Sequence, residues 1–196
     1  MRARGFTLVE LSVAMGVLAL LLLAALPSMG EWTRNVRVRN AAESIQNGLQ
    51  KARAEALRTN RNVGFWIVSQ SDNRVVDNNC ALSSSSGSWV ISVADPSGLC
   101  ATAPDANIAP MIVETHAAGD GSSSDVTVAA IDSGANPAQR VLFDGFGRLT
   151  SAAGQIARID MTHPLGARAL RVVVSSGGGV RMCDPNVSAP DPRVCP

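Results

Sequence analysis

Gly5-Phe6-Thr7-Leu8-Val9-Glu10-Leu11 opens an almost unbroken apolar run that ends at Leu26. Ahead of it stands a short polar leader, Met1–Gly5, with Arg2 and Arg4. A helix from Phe6 to Leu26 rises roughly 30 Å, about one bilayer core. The arginines should stay on the cytoplasmic side and place the rest of the chain outside. An ordinary secretory signal has a shorter apolar region followed by a small-residue cleavage site. Here the switch from polar to apolar comes directly after Gly5. Glu10 is the anomaly, because a carboxylate inside a spanning helix costs on the order of 3 kcal/mol on insertion scales. A plain membrane anchor gains nothing from it, so Glu10 reads as functional.

Working outward, Pro27 lacks the N–H that would bond residue 23 and should kink the helix. Helical character then resumes. Val38, Ala42, Ile45, Leu49, Ala52 and Ala56 recur at steps of four and three, which is one helix face. Arg34, Arg37, Arg39, Lys51, Arg53 and Arg58 lie mostly off that stripe. Residues 31–61 therefore read as an amphipathic helix whose apolar face covers a sheet. After Asn62 the pattern changes to short strands and turns. Strands are expected at Val63–Val68, Ser88–Val93, Met111–Thr115, Val126–Ala130, Arg140–Phe143, Gln155–Met161, Ala169–Ser175 and Gly179–Cys183. Ser83–Gly87, Asp95–Gly98, Gly119–Ser124, Ser133–Pro137 and Ser175–Gly179 have loop compositions. The fold class is α+β, a long N-terminal helix packed on antiparallel β-sheets. The segments are a leader at 1–5, a transmembrane helix at 6–30, its amphipathic continuation at 31–61 and a β domain at 62–196.

With 196 residues, 46% of them apolar, the chain can build one globular core beside its anchor. The formal net charge of +1 hides an uneven distribution. Basic residues dominate up to Arg61 and again from Arg140, whereas residues 62–139 set one arginine against eight acids. That pattern argues against a nucleic-acid binder over the whole surface and leaves room for a local basic patch. Cys80, Cys100, Cys183 and Cys195 include no C-x-x-C pair, and the two histidines lie far from them, so the spacing argues against zinc. An even count in an exported domain implies two disulfides, with three connectivities open. Cys80–Cys100 and Cys183–Cys195 are favoured, since each closes a local loop in an oxidising compartment.

Catalytic patterns do not emerge. The chain has no G-x-S-x-G, no P-loop and no H-E-x-x-H. Gly177-Gly178-Gly179 has no following lysine and reads as a hairpin turn. His116 and His163 read as surface or packing residues, and Phe65, Trp66 and Trp89 as core or interface. No enzyme and no cofactor are expected.

The segment Gly5-Phe6-Thr7-Leu8-Val9-Glu10 resembles the class III signal of type IV prepilins, G-F-[ST]-L-x-E. That resemblance implies cleavage after Gly5 by a prepilin peptidase and methylation of Phe6. It also implies that Glu10 pairs with the N-terminal amine of a neighbouring subunit in a filament. Two opposite charges attract strongly in a low dielectric, and an unpaired one is costly. Further along, Ala52-Arg53-Ala54-Glu55-Ala56, Arg61-Asn62-Val63, the Trp89 strand, Phe143-Asp144-Gly145-Phe146-Gly147-Arg148 and Arg171-Val172-Val173-Val174-Ser175 resemble the GspH/FimT family in that order. The family comprises minor pilins of type IV pili and minor pseudopilins of type II secretion. The resemblance implies a pilin-like fold and an inner-membrane subunit, held through residues 6–26 with a periplasmic domain, whose partners are other pilins. The Cys183–Cys195 loop and long tail favour a minor pilin over a pseudopilin. Some members bind DNA through G-R-x-R on the final hairpin. Here the aligned stretch is Gly178-Gly179-Val180-Arg181, so only Arg181 matches. Arg168, Arg171 and Arg193 are the neighbours expected to complete any DNA patch, and weak binding at best is expected.

Overall fold

The computed structural model describes residues 7–120, 125–166 and 168–196, with the backbone alone for 23–28. Helix α1 (Leu8–Thr59) has 52 residues and rises about 78 Å. It starts two residues after Phe6 because Thr7 is extended and caps it, with Thr7 Oγ1 accepting the Glu10 N–H at 3.2 Å. It ends at Asn60, which turns left-handed and donates its N–H to the Ala56 carbonyl. Pro27, where a kink is expected, lies inside this one element, and helix resumes beyond it as expected. A proline forfeits one backbone bond and distorts one turn, and the turns on either side carry bonds of their own.

Nine strands follow: β1 (Val63–Ser69), β2 (Ala81–Leu82), β3 (Ser88–Ser92), β4 (Ile112–His116), β5 (Thr127–Ile131), β6 (Arg140–Phe143), β7 (Arg158–Thr162), β8 (Leu170–Val174) and β9 (Val180–Cys183). All strand pairs are antiparallel. One sheet has the order β2-β1-β3-β4, and β6 joins β1 on the edge it shares with β2. The other has the order β5-β7-β8-β9. Strand β2 was not expected, since two residues are too short to show a period. Strand β7 begins at Arg158 rather than Gln155 because residues 155–157 cross between the sheets. The Gln155 side chain accepts the Leu142 N–H at 2.6 Å, Ile156 N–H donates to Arg140, and Ala157 N–H donates to Ile131.

The stripe on α1 is the centre of the core. Val38, Ala42, Ile45, Leu49, Ala52 and Ala56 are each at most 1% exposed. They pack against Phe65, Ile67 and Ile91 from the first sheet and Ile159, Val172 and Val174 from the second. Alternation in β1 sends Trp66 and Val68 to the opposite face. There they form a second cluster with Val90, Ile112 and the Cys80–Cys100 disulfide. This is why β1 is buried at six consecutive positions. The first sheet is a middle layer with α1 on one side and a disulfide-tied loop on the other. The second disulfide, Cys183–Cys195, ties the C-terminal loop back to the end of β9.

The uneven charge of the sequence is largely matched within the fold. Arg37 reaches Asp125 at 2.7 Å and Lys51 reaches Glu114 at 2.7 Å, joining the basic helix to the acidic middle. Arg34 and Arg53 donate to the carbonyls of Gly166 and Gly147 at 3.0 and 2.9 Å. Each exposed ion pair contributes little alone. Together they fix how α1 lies along both sheets.

Candidate functional site

The first half of α1 carries the residues singled out at the N-terminus. Gly5 and Phe6 lie outside the described residues. Glu10 is exposed in the first turn of α1. A carboxylate there complements the positive end of the helix dipole. No ion pair engages it among the described residues. From Leu8 to Leu22 every side chain is exposed, and almost all are apolar. Among the described residues no helix is long and apolar enough to cross a membrane. The apolar run continues into residues 23–28, whose side chains are outside the description. So the domain keeps its own core around residues 38–56, and the described apolar stretch from Leu8 to Leu22 stands outside it, exposed. Such a surface is stable only against lipid or other apolar helices.

The second candidate region is the end of the domain near Trp32, where α1 meets β8, β9 and the C-terminal loop. A cleft of about 420 Å³ opens there, lined by Trp32, Val36, Leu170 and Met182, with Arg39, Arg168 and Arg193 among its polar groups. The four arginines of the candidate DNA patch all lie on β8, β9 or their flanks, and each already has a partner. Arg168 donates to the Asp184 carboxylate at 2.6 Å, and Arg193 to Asp191 at 2.6 Å. Arg171 pairs with Asp160, which also attracts Arg158 at 3.7 Å. Arg181 donates to the carbonyls of Pro192 and Val194 at 3.1 and 3.3 Å, so it clasps the C-terminal loop.

These contacts leave their mark on the acids. Burial alone would raise Asp184, which is 3% exposed. The Asn186 N–H and the Arg168 guanidinium outweigh burial and hold it below the usual carboxylate range. Hydrogen bonds from the Arg193 side chain and backbone bring Asp191 down to about 2, and Arg193 is raised in turn. The region is a set of matched charges and not an open basic surface.

The remaining candidates are packing residues. Trp89 stacks on His116 at 5.1 Å and donates to Ser44 Oγ at 3.1 Å. Burial against that ring pushes His116 down despite Asp120 and Glu114 nearby. His163 is buried and accepts the Leu165 N–H through Nδ1 at 3.1 Å. Asp160, its near neighbour in sequence, is turned to arginines instead. Among the described residues no group of three His, Cys, Asp or Glu side chains could hold a metal ion. Sequence reasoning did not find the Asp184–Arg168 pair or the arginine clasp by Arg181. Both join residues whose proximity depends on where the C-terminal loop folds back.

A long helix, apolar and exposed from Leu8 to Leu22 and packed on antiparallel sheets along its second half, defines a pilin-like subunit. Residues 41–178 match the family described as type II transport protein GspH, and residues 1–26 match the prokaryotic N-terminal methylation motif. The chain belongs to the GspH family. It is similar in structure to the type IV minor pilin FimU of Pseudomonas aeruginosa, at 17% identity and a TM-score of 0.47, over 74% of this chain and 87% of that one. A similar comparison with GspH of E. coli gives 16% identity and a TM-score of 0.41, over 80% of this chain and 94% of that one. No curated protein matches in sequence.

Proposed function

We propose that this chain is a minor type IV pilin, a structural subunit that helps initiate a pilus. A prepilin peptidase cuts it after Gly5 and methylates Phe6. It waits in the inner membrane, held by its N-terminal helix with the β domain in the periplasm. It then joins other pilins in a filament, where Glu10 meets the amine of a neighbour. The observation that carries this reading is the exposed apolar stretch of α1 from Leu8 to Leu22, which lies within the residues that match the methylation motif. Glu10 is exposed in the first helical turn, which supports a contact with a positive charge from a neighbour.

Two variants test it. Gly5→Val should block cleavage, because the peptidase must seat an extended backbone next to the membrane and a branched side chain crowds it. Mass spectrometry should find the leader intact, and a methylated Phe6 terminus in that variant would overturn the cleavage reading. Glu10→Val should insert normally and accumulate normally, yet be scarce in sheared filaments. Equal incorporation would remove the pairing role of Glu10.

A second reading is a minor pseudopilin of type II secretion, which the description of the matched family favours. Deletion separates the two. Loss of surface filaments with protein export intact supports the pilin, and the converse supports the pseudopilin.

A further inference from the structure

The twenty residues from Leu11 to Gly30 carry no charge. As helix they rise about 30 Å, the thickness of a hydrocarbon core. With the core taken as this uncharged stretch instead of Phe6–Leu26, which leaves Glu10 at its inner edge, Trp32 lies about 3 Å beyond it and Arg34 about 6 Å beyond it. This is the headgroup layer, where tryptophan rings concentrate at membrane interfaces. Trp32 is 67% exposed.

The helix is not alone at that height. Arg34 Nε donates to the Gly166 carbonyl at 3.0 Å, and Asn35 Oδ1 accepts the Arg168 N–H at 2.7 Å. These two bonds tie the β7–β8 loop to α1 one turn beyond Gly30. The loop carries Leu165, which is 75% exposed, beside an exposed Pro164. The loop is not loose. The Leu165 N–H is held by His163 Nδ1, and the Gly166 N–H donates to the His163 carbonyl. A large apolar side chain is thus presented on a braced turn, largely uncovered by the described residues. Arg34 lies against this loop through its bond to Gly166, and Arg168, three residues beyond Leu165, is paired with Asp184.

We propose that the β7–β8 loop is a second membrane contact, in which Leu165 enters the headgroup region of the bilayer beside Trp32. The partner is the lipid surface. Its height is set by unbroken helix from the anchor, so this inference rests on the anchored subunit described above. The domain then stands on the membrane at two points, the helix and the loop. Its tilt is restricted until the subunit leaves for the filament, and extraction must strip the loop from lipid as well as the helix.

Intrinsic fluorescence tests this in the full chain. Trp66 and Trp89 are each only 3% exposed, so Trp32 is the tryptophan that lipid can reach. A second form, Leu165→Trp in a Trp32→Phe background, moves the reporter to the exposed loop. Both are reconstituted into vesicles of phosphatidylcholine and phosphatidylglycerol, with bromine on the phosphatidylcholine chains near the headgroup. Co-flotation with the vesicles reads the anchor alone. The expected result is co-flotation of both forms, with brominated lipid quenching the indole at position 32 and the indole at position 165. Co-flotation with the indole at 165 unquenched would overturn the loop contact while leaving the anchor standing. A blue shift at 165 without quenching would mean that protein covers the loop, which also overturns it. Failure of either form to float would remove the anchor, and the inference with it.

Discussion

At position 48 a glycine sits in the middle of a helix, where it costs about 1 kcal/mol relative to alanine. The reason is across the interface. A Cβ at Gly48 would lie 2.7 Å from the Phe65 ring and 2.9 Å from Trp89. The two rings are 5.6 Å apart, and Trp89 is pinned by Ser44 and His116. They cannot both retreat. Overpacking of this kind costs typically 1–3 kcal/mol, of which the gain of about 1 kcal/mol in helix propensity offsets only part. Gly48→Ala should therefore destabilise the domain by about 1 kcal/mol and Gly48→Val by clearly more, as read by chemical denaturation. A stabilised Gly48→Ala domain would show that α1 can move off β1 freely. Asp184 is the corresponding polar position. Its carboxylate is buried and accepts from Arg168 and from the Asn186 N–H. Asp184→Asn should cost about 1.5–3 kcal/mol, as for hydrogen bonds to charged groups. The pH dependence has a definite sign. Asp184 and Asp191 are both lowered in the fold, Asp191 to about 2. Their contribution is present above the ordinary carboxylate value of about 4 and is lost as pH falls through the folded values. Stability should drop between about pH 4 and pH 2, and the drop should be shallower in Asp184→Asn.

Among the elements, the Cys80–Cys100 loop has the most to lose. It closes over Trp66, Val68 and Val90 on the outer face of the first sheet. A separation of 20 residues corresponds to about 3 kcal/mol in the chain-entropy model. Replacing both cysteines by serine should lower stability by about that much and expose Trp66, giving a red-shifted emission before global unfolding. An unchanged spectrum through the transition would mean that the loop stays in place without its bond. Opening Cys183–Cys195 should matter less to the core, since that loop lies at the domain edge and is also clasped by Arg181. The same comparison shows what was legible in the chain. The stripe from Val38 to Ala56 was readable because a 3.6-residue period repeats over many turns. Strands β1, β3, β6, β8 and β9 were readable within a residue or two because apolar runs end at turn residues. Burial of β1 on both faces was not. The cover on its outer face comes from aperiodic segments, and nothing local in residues 72–80 or 93–100 signals where they lie. The Thr7 cap was missed because the apolar run begins one residue earlier, at Phe6, and hydropathy does not mark where helical dihedrals start. The partners of the arginines were missed for a related reason. Charge totals per segment were visible, but which acid meets which arginine is set by loop paths.

For the whole molecule, electrostatics bear most directly on DNA. Taken by segment, residues 140–196 carry seven arginines and four acids, which looks like a basic surface. The fold distributes them differently. Arg168, Arg193 and Arg148 each lie against an aspartate, and Arg158 and Arg171 share Asp160. Arg140 lies over the Trp66 ring, and Arg181 is bonded to two carbonyls of the C-terminal loop. A phosphate would have to displace a carboxylate at most of these sites, and displacement cancels most of the gain. The affinity of a protein for duplex DNA falls with salt by about 0.9 logarithmic units per phosphate neutralised. Arg181, which meets no carboxylate among the described residues, and the excess charge shared by Arg158 and Arg171 offer about two such contacts. The domain spanning residues 31–196 should therefore bind duplex DNA weakly at low salt, with a slope of about −2 or shallower. Arg181→Ala should remove about one unit of that slope. Titration by fluorescence anisotropy at low and moderate salt measures both. Micromolar binding with a steep slope that survives Arg181→Ala would mean that the ion pairs rearrange on contact, and the matched charges at this pole would then be a latent DNA surface. Shallow, weak binding fits a subunit whose arginines hold its own C-terminal loop and leave recognition to the apolar helix.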